Sequence, residues 1–144
     1  AGNALGPAGL AALLPGLRQA ASLREIDLAL NGLGTTGVEI LLPAGLKLEI
    51  LSLRSNWLGQ SDTEIVAQLL HSMGSNLTHL DLSQNKLGAR GLGRILENLP
   101  SLPRLRSLNL AENNFATPEF RAAAFRCLVS AAPNLQDLDL NASS

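Results

Sequence analysis

A leucine ladder that closes on asparagine runs through this chain and returns at near-constant intervals. Residues 23–31 (LREIDLALN), 48–56 (LEILSLRSN), 77–85 (LTHLDLSQN) and 105–113 (LRSLNLAEN) share the form L-x-x-L-x-L-x-x-N, and Asn3 closes an incomplete copy. The spacing from Asn3 through Asn31, Asn56 and Asn85 to Asn113 is 28, 25, 29 and 28 residues. A period in that range means one supersecondary unit per repeat, each stacked on the next. A fifth ladder, 135–140 (LQDLDL), puts Ser143 where the asparagine is expected.

Within each ladder the apolar residues alternate: Ile26 and Leu28, Leu51 and Leu53, Leu80 and Leu82, Leu108 and Leu110, Leu138 and Leu140. A two-residue period is that of a strand with one buried face. After the asparagine the period changes. Residues 5–14, 33–42 and 87–96 place apolar side chains three to four apart, which predicts a helix with one buried stripe. A strand and a helix repeated in tandem cannot close a core alone and must stack. Ser61 and Glu64 fit a capping box, and Thr117, Pro118 and Glu119 supply a cap, a first-turn proline and an acidic first turn. These are structural signals and carry no chemistry.

The pattern resembles the leucine-rich repeat family, and repeats of about 28 residues with a full helix look like its ribonuclease-inhibitor-type class. The resemblance implies an α/β solenoid, a horseshoe with a parallel concave β-sheet and convex helices. It implies that Asn31, Asn56, Asn85 and Asn113 turn inward and bond the backbone of neighbouring turns. Residues 1–144 then form a single domain of about five repeats. Both ends fall within a repeat, so a fragment of a larger protein is expected. Two departures stand out. The second repeat lacks the usual second glycine after Leu58, so its path into the helix should differ. The fourth carries Phe115, Phe120, Phe125 and Cys127 where others have aliphatics or glycine, with Phe120 and Phe125 expected to fill the core.

Composition sets bounds on function. With 46% hydrophobic and 16% charged residues among 144, the chain can bury a continuous core. A net charge of −1 gives no general attraction to nucleic acid or to a membrane surface. No apolar run approaches the length of a membrane span. One cysteine, Cys127, rules out an internal disulfide and points to a cytoplasmic, or nuclear, compartment. The glycosylation patterns at Asn76 and Asn141 argue weakly the other way.

Catalysis finds no support. His79, Asp81 and Ser83 lie two apart on one strand face, so their side chains run parallel and do not converge as a triad must. One cysteine and two scattered histidines, His71 and His79, give no metal-ligand spacing, and the glycines of LGARGLG belong to the repeat rather than to a nucleotide loop. The chain is expected to be no enzyme and to use no cofactor, metal or small-molecule substrate.

Function is therefore expected on the concave face. Residues between the inward leucines form three rows: Asp27, Ser52, Asp81, Asn109 and Asp139; Glu25, Ile50, His79, Ser107 and Asp137; and Ala29, Arg54, Ser83, Ala111 and Asn141. Five carboxylates stand there against one arginine, Arg54, while Arg90, Arg94, Arg121 and Arg126 fall on predicted helices. A surface of one sign favours a partner of the other, so a basic protein partner is expected. Trp57 follows Asn56 at a position held elsewhere by Ala4, Gly32, Lys86 and Asn114, which marks it as a rim residue and an interface anchor. The expected contact set is Glu25, Asp27, Arg54, Trp57, His79, Asp81, Asn109, Asp137 and Asp139. The resemblance implies a protein-interaction module, a scaffold or ligand-recognition domain. It also admits a sensing or autoinhibitory domain of a nucleotide-binding innate immune receptor or ubiquitin-ligase substrate receptor. A third reading is a regulatory domain similar to Ran GTPase-activating protein.

Overall fold

The structure, a computed structural model, describes all residues except Ala1, Leu99, Ser101, Ala116, Ser143 and Ser144. Ser143, the expected end of the fifth ladder, thus lies outside the described residues. Strands and helices alternate: α1 (Gly6–Gln19), β1 (Glu25–Asp27), α2 (Gly34–Leu41), β2 (Ile50–Ser52), α3 (Thr63–Met73), β3 (His79–Asp81), α4 (Gly88–Asn98), β4 (Ser107–Asn109), α5 (Pro118–Ala131) and β5 (Asp137–Asp139). The strands pair in parallel in the order β1-β2-β3-β4-β5. Consecutive strands are neighbours because each helix returns the chain one strand spacing further on, which builds the solenoid that the repeat period requires.

The core lies between sheet and helices. Ile26, Leu51, Leu80 and Leu108 enter it from the strand centres, and Val38, Leu41, Val66, Leu69, Leu70, Leu92 and Ile95 meet them from the helices. Each fully buried aliphatic side chain contributes about 1.5–3 kcal/mol. The ladder asparagines lock one repeat to the next. Asn85 Oδ1 accepts the N–H groups of Asn56 and Leu58 at 3.0 Å each, while its Nδ2 donates to the Leu53, Leu82 and Ser83 carbonyls. Asn31 and Asn56 repeat the arrangement, and Asn113 donates to Leu82 and Leu110 and accepts from Leu87. All four are buried, whereas Asn3 is exposed because no repeat precedes it among the described residues.

The second repeat does take its own path. A 3-10 turn at Gln60–Asp62 comes before α3, and Gly59 pairs with Lys86 in an isolated parallel bridge. The expected Ser61–Glu64 capping box does not form. Because the 3-10 turn delays the helix to Thr63, Asp62 is the carboxylate nearest the free backbone donors. Its Oδ2 accepts from the Gly59 N–H at 2.7 Å, and its Oδ1 from the hydroxyls of Ser61 and of Thr35 on α2. Glu64 instead faces Arg94 on α4 at 3.4 Å. The cap on α5 forms as expected, with the Thr117 hydroxyl accepting from the Phe120 N–H at 3.1 Å and Pro118 in the first turn. Phe115 is buried and Phe120 packs against the core. Phe125 does not fill it: α5 buries Ala124 and Leu128, and the next residue is turned about 100° away, leaving Phe125 48% exposed.

A candidate concave interface

The sheet register carries the outward rows across the molecule without a slip. Glu25, Ile50, His79, Ser107 and Asp137 stand opposite one another in sequence, as do Asp27, Ser52, Asp81, Asn109 and Asp139. With strands about 4.8 Å apart, each row is a continuous column. Glu25, Asp27, Ile50, Ser52, Arg54, His79, Asp81, Ser107 and Asn109 all border one open concavity of about 450 Å³.

The third row is different. Ala29, Ser83 and Ala111 are buried, and of that row only Arg54 and Asn141 are exposed. The expected alternation stops with the strand: each strand is three residues long, and the backbone bends immediately after it. The bend has a residue-level cause that reading Asp27 and its equivalents as surface charges does not reveal. Asp27 Oδ1 accepts the Ala29 N–H at 2.9 Å, Asp81 the Ser83 N–H at 2.9 Å, Asn109 the Ala111 N–H at 3.0 Å and Asp139 the Asn141 N–H at 2.9 Å. These are Asx turns, in which a short polar side chain mimics a backbone turn. One oxygen of each aspartate is thus engaged in ending its strand, while Asp27 and Asp81 still border the concavity and Asp139 stands beyond it on the last strand.

The backbone before each of the four ladder asparagines is left-handed, and so is that after three of them, Lys86 after Asn85 being the exception. Leu30, Ser55, Gln84 and Glu112 precede the asparagine with φ of 60°, 53°, 55° and 57°, and Gly32, Trp57 and Asn114 follow it with φ of 59°, 64° and 58°. Ser55, Gln84 and Glu112 form a polar chain along this rim: the Gln84 carbonyl accepts from the Ser55 hydroxyl at 2.7 Å, and its amide donates to Glu112 at 3.2 Å. Arg54 joins it, donating from Nε to Gln84 at 3.0 Å. The cation of the face is thus tied to the rim through Gln84.

Trp57 has the expected rim position and is 75% exposed. Glycine and asparagine adopt a left-handed backbone readily, but a bulky side chain does so at a cost of about 1–2 kcal/mol. Its ring lies over Gly32, where an added Cβ would stand only 3.1 Å from ring carbon Cζ3. Gly32→Ala should therefore lower stability by about 1 kcal/mol, from left-handed strain and from displacement of the indole. Because Trp57 is the chain's single tryptophan, its intrinsic fluorescence reports both the melt and the displacement. Unchanged emission and stability would contradict this packing.

His79 Nδ1 lies 2.9 Å from the Thr78 hydroxyl, and Ser83 is buried behind the turn that Asp81 makes.

An open stack of strand–helix units, with a parallel sheet on one side and asparagines bridging successive turns, defines a repeat solenoid. The chain belongs to the leucine-rich repeat family, and the Leucine Rich repeat model matches residues 19–42 and 75–96. It is 36% identical over 116 residues to the Tonsoku-like protein of Bos taurus, covering 75% of this chain and 8% of that protein. To NACHT, LRR and PYD domains-containing protein 12 of Homo sapiens it is 45% identical over 83 residues, or 54% of this chain and 8% of that one. To the Ribonuclease inhibitor of Sus scrofa it is 35% identical over 101 residues, 70% of this chain and 22% of the inhibitor. The chain thus spans between 8% and 22% of the length of these relatives. Among solved structures, the C-terminal domain of tropomodulin from Caenorhabditis elegans superposes with a TM-score of 0.69, covering 94% of this chain and 84% of that one. At 15% identity that likeness speaks to the fold.

Proposed function

We propose that this chain is a non-catalytic protein-binding module that takes a basic partner on its concave face, with Trp57 as an anchor at the rim. The observation that carries the reading is the register. It aligns Glu25 and Asp137 in one column and Asp27, Asp81 and Asp139 in the next, with Asn109 and His79 among them and Arg54 restrained at the side. Carboxylates gathered on a concave, preformed surface focus their field and raise the association rate of a cationic partner. Protein recognition is also what leucine-rich repeats commonly do, the Ribonuclease inhibitor being a named instance among the relatives. A second reading, a sensing or autoinhibitory domain of a nucleotide-binding receptor, draws on the 45% identity to the NACHT, LRR and PYD domains protein. It predicts that the chain, added in trans, restrains such a receptor's nucleotide-binding domain.

The Asx turns supply a clean test. Changing Asp27, Asp81 and Asp139 together to asparagine removes three charges yet keeps an Oδ1 acceptor for each turn, as Asn109 already does. Stability should stay within about 1 kcal/mol of the parent, while a partner recovered by affinity capture is lost or binds at least about tenfold more weakly, with reduced salt dependence. Capture of the same partners by both proteins would refute an acidic site. Trp57→Asn probes the rim separately: asparagine tolerates the left-handed backbone, so binding should fall while the fold is kept. A large loss of stability with binding intact would make Trp57 a packing residue.

A further inference from the structure

The lower edge of the sheet, where helices return into strands, has the opposite charge from the concave face. The residue before each strand forms a fourth column, Arg24, Glu49, Thr78, Arg106 and Gln136, joined by backbone hydrogen bonds of 2.7–2.8 Å. Arg24 and Arg106 hold the same place in their repeats but have different surroundings. Arg24 is neutralised: its Nε is 3.8 Å from Glu49, and its Nη1 donates to the Ala21 and Leu23 carbonyls at 3.0 Å. Arg106 lies between Thr78 and Gln136, which carry no charge. Arg104, two residues earlier in the turn, is also exposed. Among the described residues no carboxylate oxygen comes within 4.0 Å of either arginine. Both border one depression of about 550 Å³, walled by Pro103 and Pro133, with the Asn134 amide fixed on the Pro103 carbonyl at 3.1 Å.

We infer that Arg104 and Arg106 form a site for a phosphate monoester presented by a phosphorylated polypeptide. Two unpaired guanidinium forks on neighbouring positions match a group that carries between one and two negative charges and three acceptor oxygens. The depression is open and has few apolar walls, so it does not enclose a small molecule as a ligand pocket does. Nor does it suit a nucleic-acid strand. The positive column is interrupted by Glu49 and Thr78, and the single tryptophan stands at the opposite rim, leaving no stacking platform here. This inference is independent of the concave interface, because it uses none of that interface's residues.

The test is a titration of the isotope-labelled chain with a Gly/Ser-rich peptide carrying one phosphoserine, followed through arginine side-chain N–H resonances. Saturable shifts at Arg104 and Arg106, with none at Arg24, are expected. Arg104→Gln and Arg106→Gln should each weaken binding about tenfold, and Arg24→Gln should leave it unchanged. All three positions are exposed, and circular dichroism verifies that each variant is folded. Equal shifts at Arg24, equal binding of the unphosphorylated peptide, or no saturation would overturn the proposal. Binding of inorganic phosphate as tight as that of the peptide would overturn the polypeptide source, and tighter binding of an oligothymidylate would overturn the assignment in favour of nucleic acid.

Discussion

Replacing Asn85 by alanine is expected to lower the folding free energy by about 3–5 kcal/mol, read as a fall in the urea midpoint. The side chain is 3% exposed and makes five hydrogen bonds, two of them to N–H groups of the preceding repeat. Alanine would leave the Asn56 and Leu58 N–H groups buried without an acceptor, at about 1–3 kcal/mol each, and would strip a partner from three carbonyls. Against a total stability of about 5–15 kcal/mol for a domain, that is a large fraction. Asn3→Ala supplies the contrast. The same letter of the same motif is exposed there and makes no side-chain bond among the described residues, so its loss should lie within about 0.5 kcal/mol of zero.

Asn85→Asp separates the acceptor from the donor. An aspartate keeps the oxygen that accepts from Asn56 and Leu58 but turns a carboxylate toward the Leu53, Leu82 and Ser83 carbonyls. Burial and those facing dipoles raise its pKa in the folded state above the unfolded value. The sign follows from linkage: the folded state binds the extra proton more tightly, so the variant is most stable below the unfolded carboxylate pKa and loses stability as pH rises through the folded one. A variant whose stability relative to the parent improved with rising pH would contradict this arrangement.

The same residues show how much of the molecule could be read from its sequence. Strand and helix order follows from two periods, because these are direct imprints of which side chains meet the core, whereas the parallel sheet and the inward asparagines were implied by the resemblance that the repeated ladder carries. The two columns of the concave face were legible for the same reason. Beyond the strand ends the signal fails. Ala29, Ser83 and Ala111 keep the alternating pattern on paper, yet they sit past a bend made by a side-chain-to-backbone bond, which no periodicity records. The Asp27, Asp81 and Asp139 carboxylates read as surface charge because an Asx turn and a solvated aspartate look alike in one sequence. Asp62, rather than Ser61 or Glu64, bonds back to the Gly59 N–H at the head of the 3-10 turn, because a missing glycine changed the path of the loop before the third helix. The left-handed backbone of Trp57 was visible only indirectly, in that Gly32 and Asn114 hold the equivalent position. The difference between Arg24 and Arg106 depends on a neighbour 25 residues or more away, Glu49 in one case and Thr78 in the other.

Truncating Leu80 to alanine should cost about 2–5 kcal/mol, and the same change at Leu138 markedly less, although the two occupy identical places in their ladders. Leu80 is 2% exposed, with β2 on one side and β4 on the other, so its removal leaves a cavity that neither flanking repeat can collapse to fill. Leu138 on β5 is only partly buried and is flanked by β4 alone among the described strands, so less contact is lost and the surroundings relax more freely. In a stacked array, stability is close to a sum of unit terms and nearest-neighbour interface terms. A cavity at Leu80 weakens two interfaces at once, which should lower the slope of the denaturation curve as well as its midpoint, because the two halves of the stack begin to melt separately. At Leu138 the slope should be kept. Equal losses at the two positions, with both slopes unchanged, would mean that the chain melts as one globular unit rather than as coupled repeats.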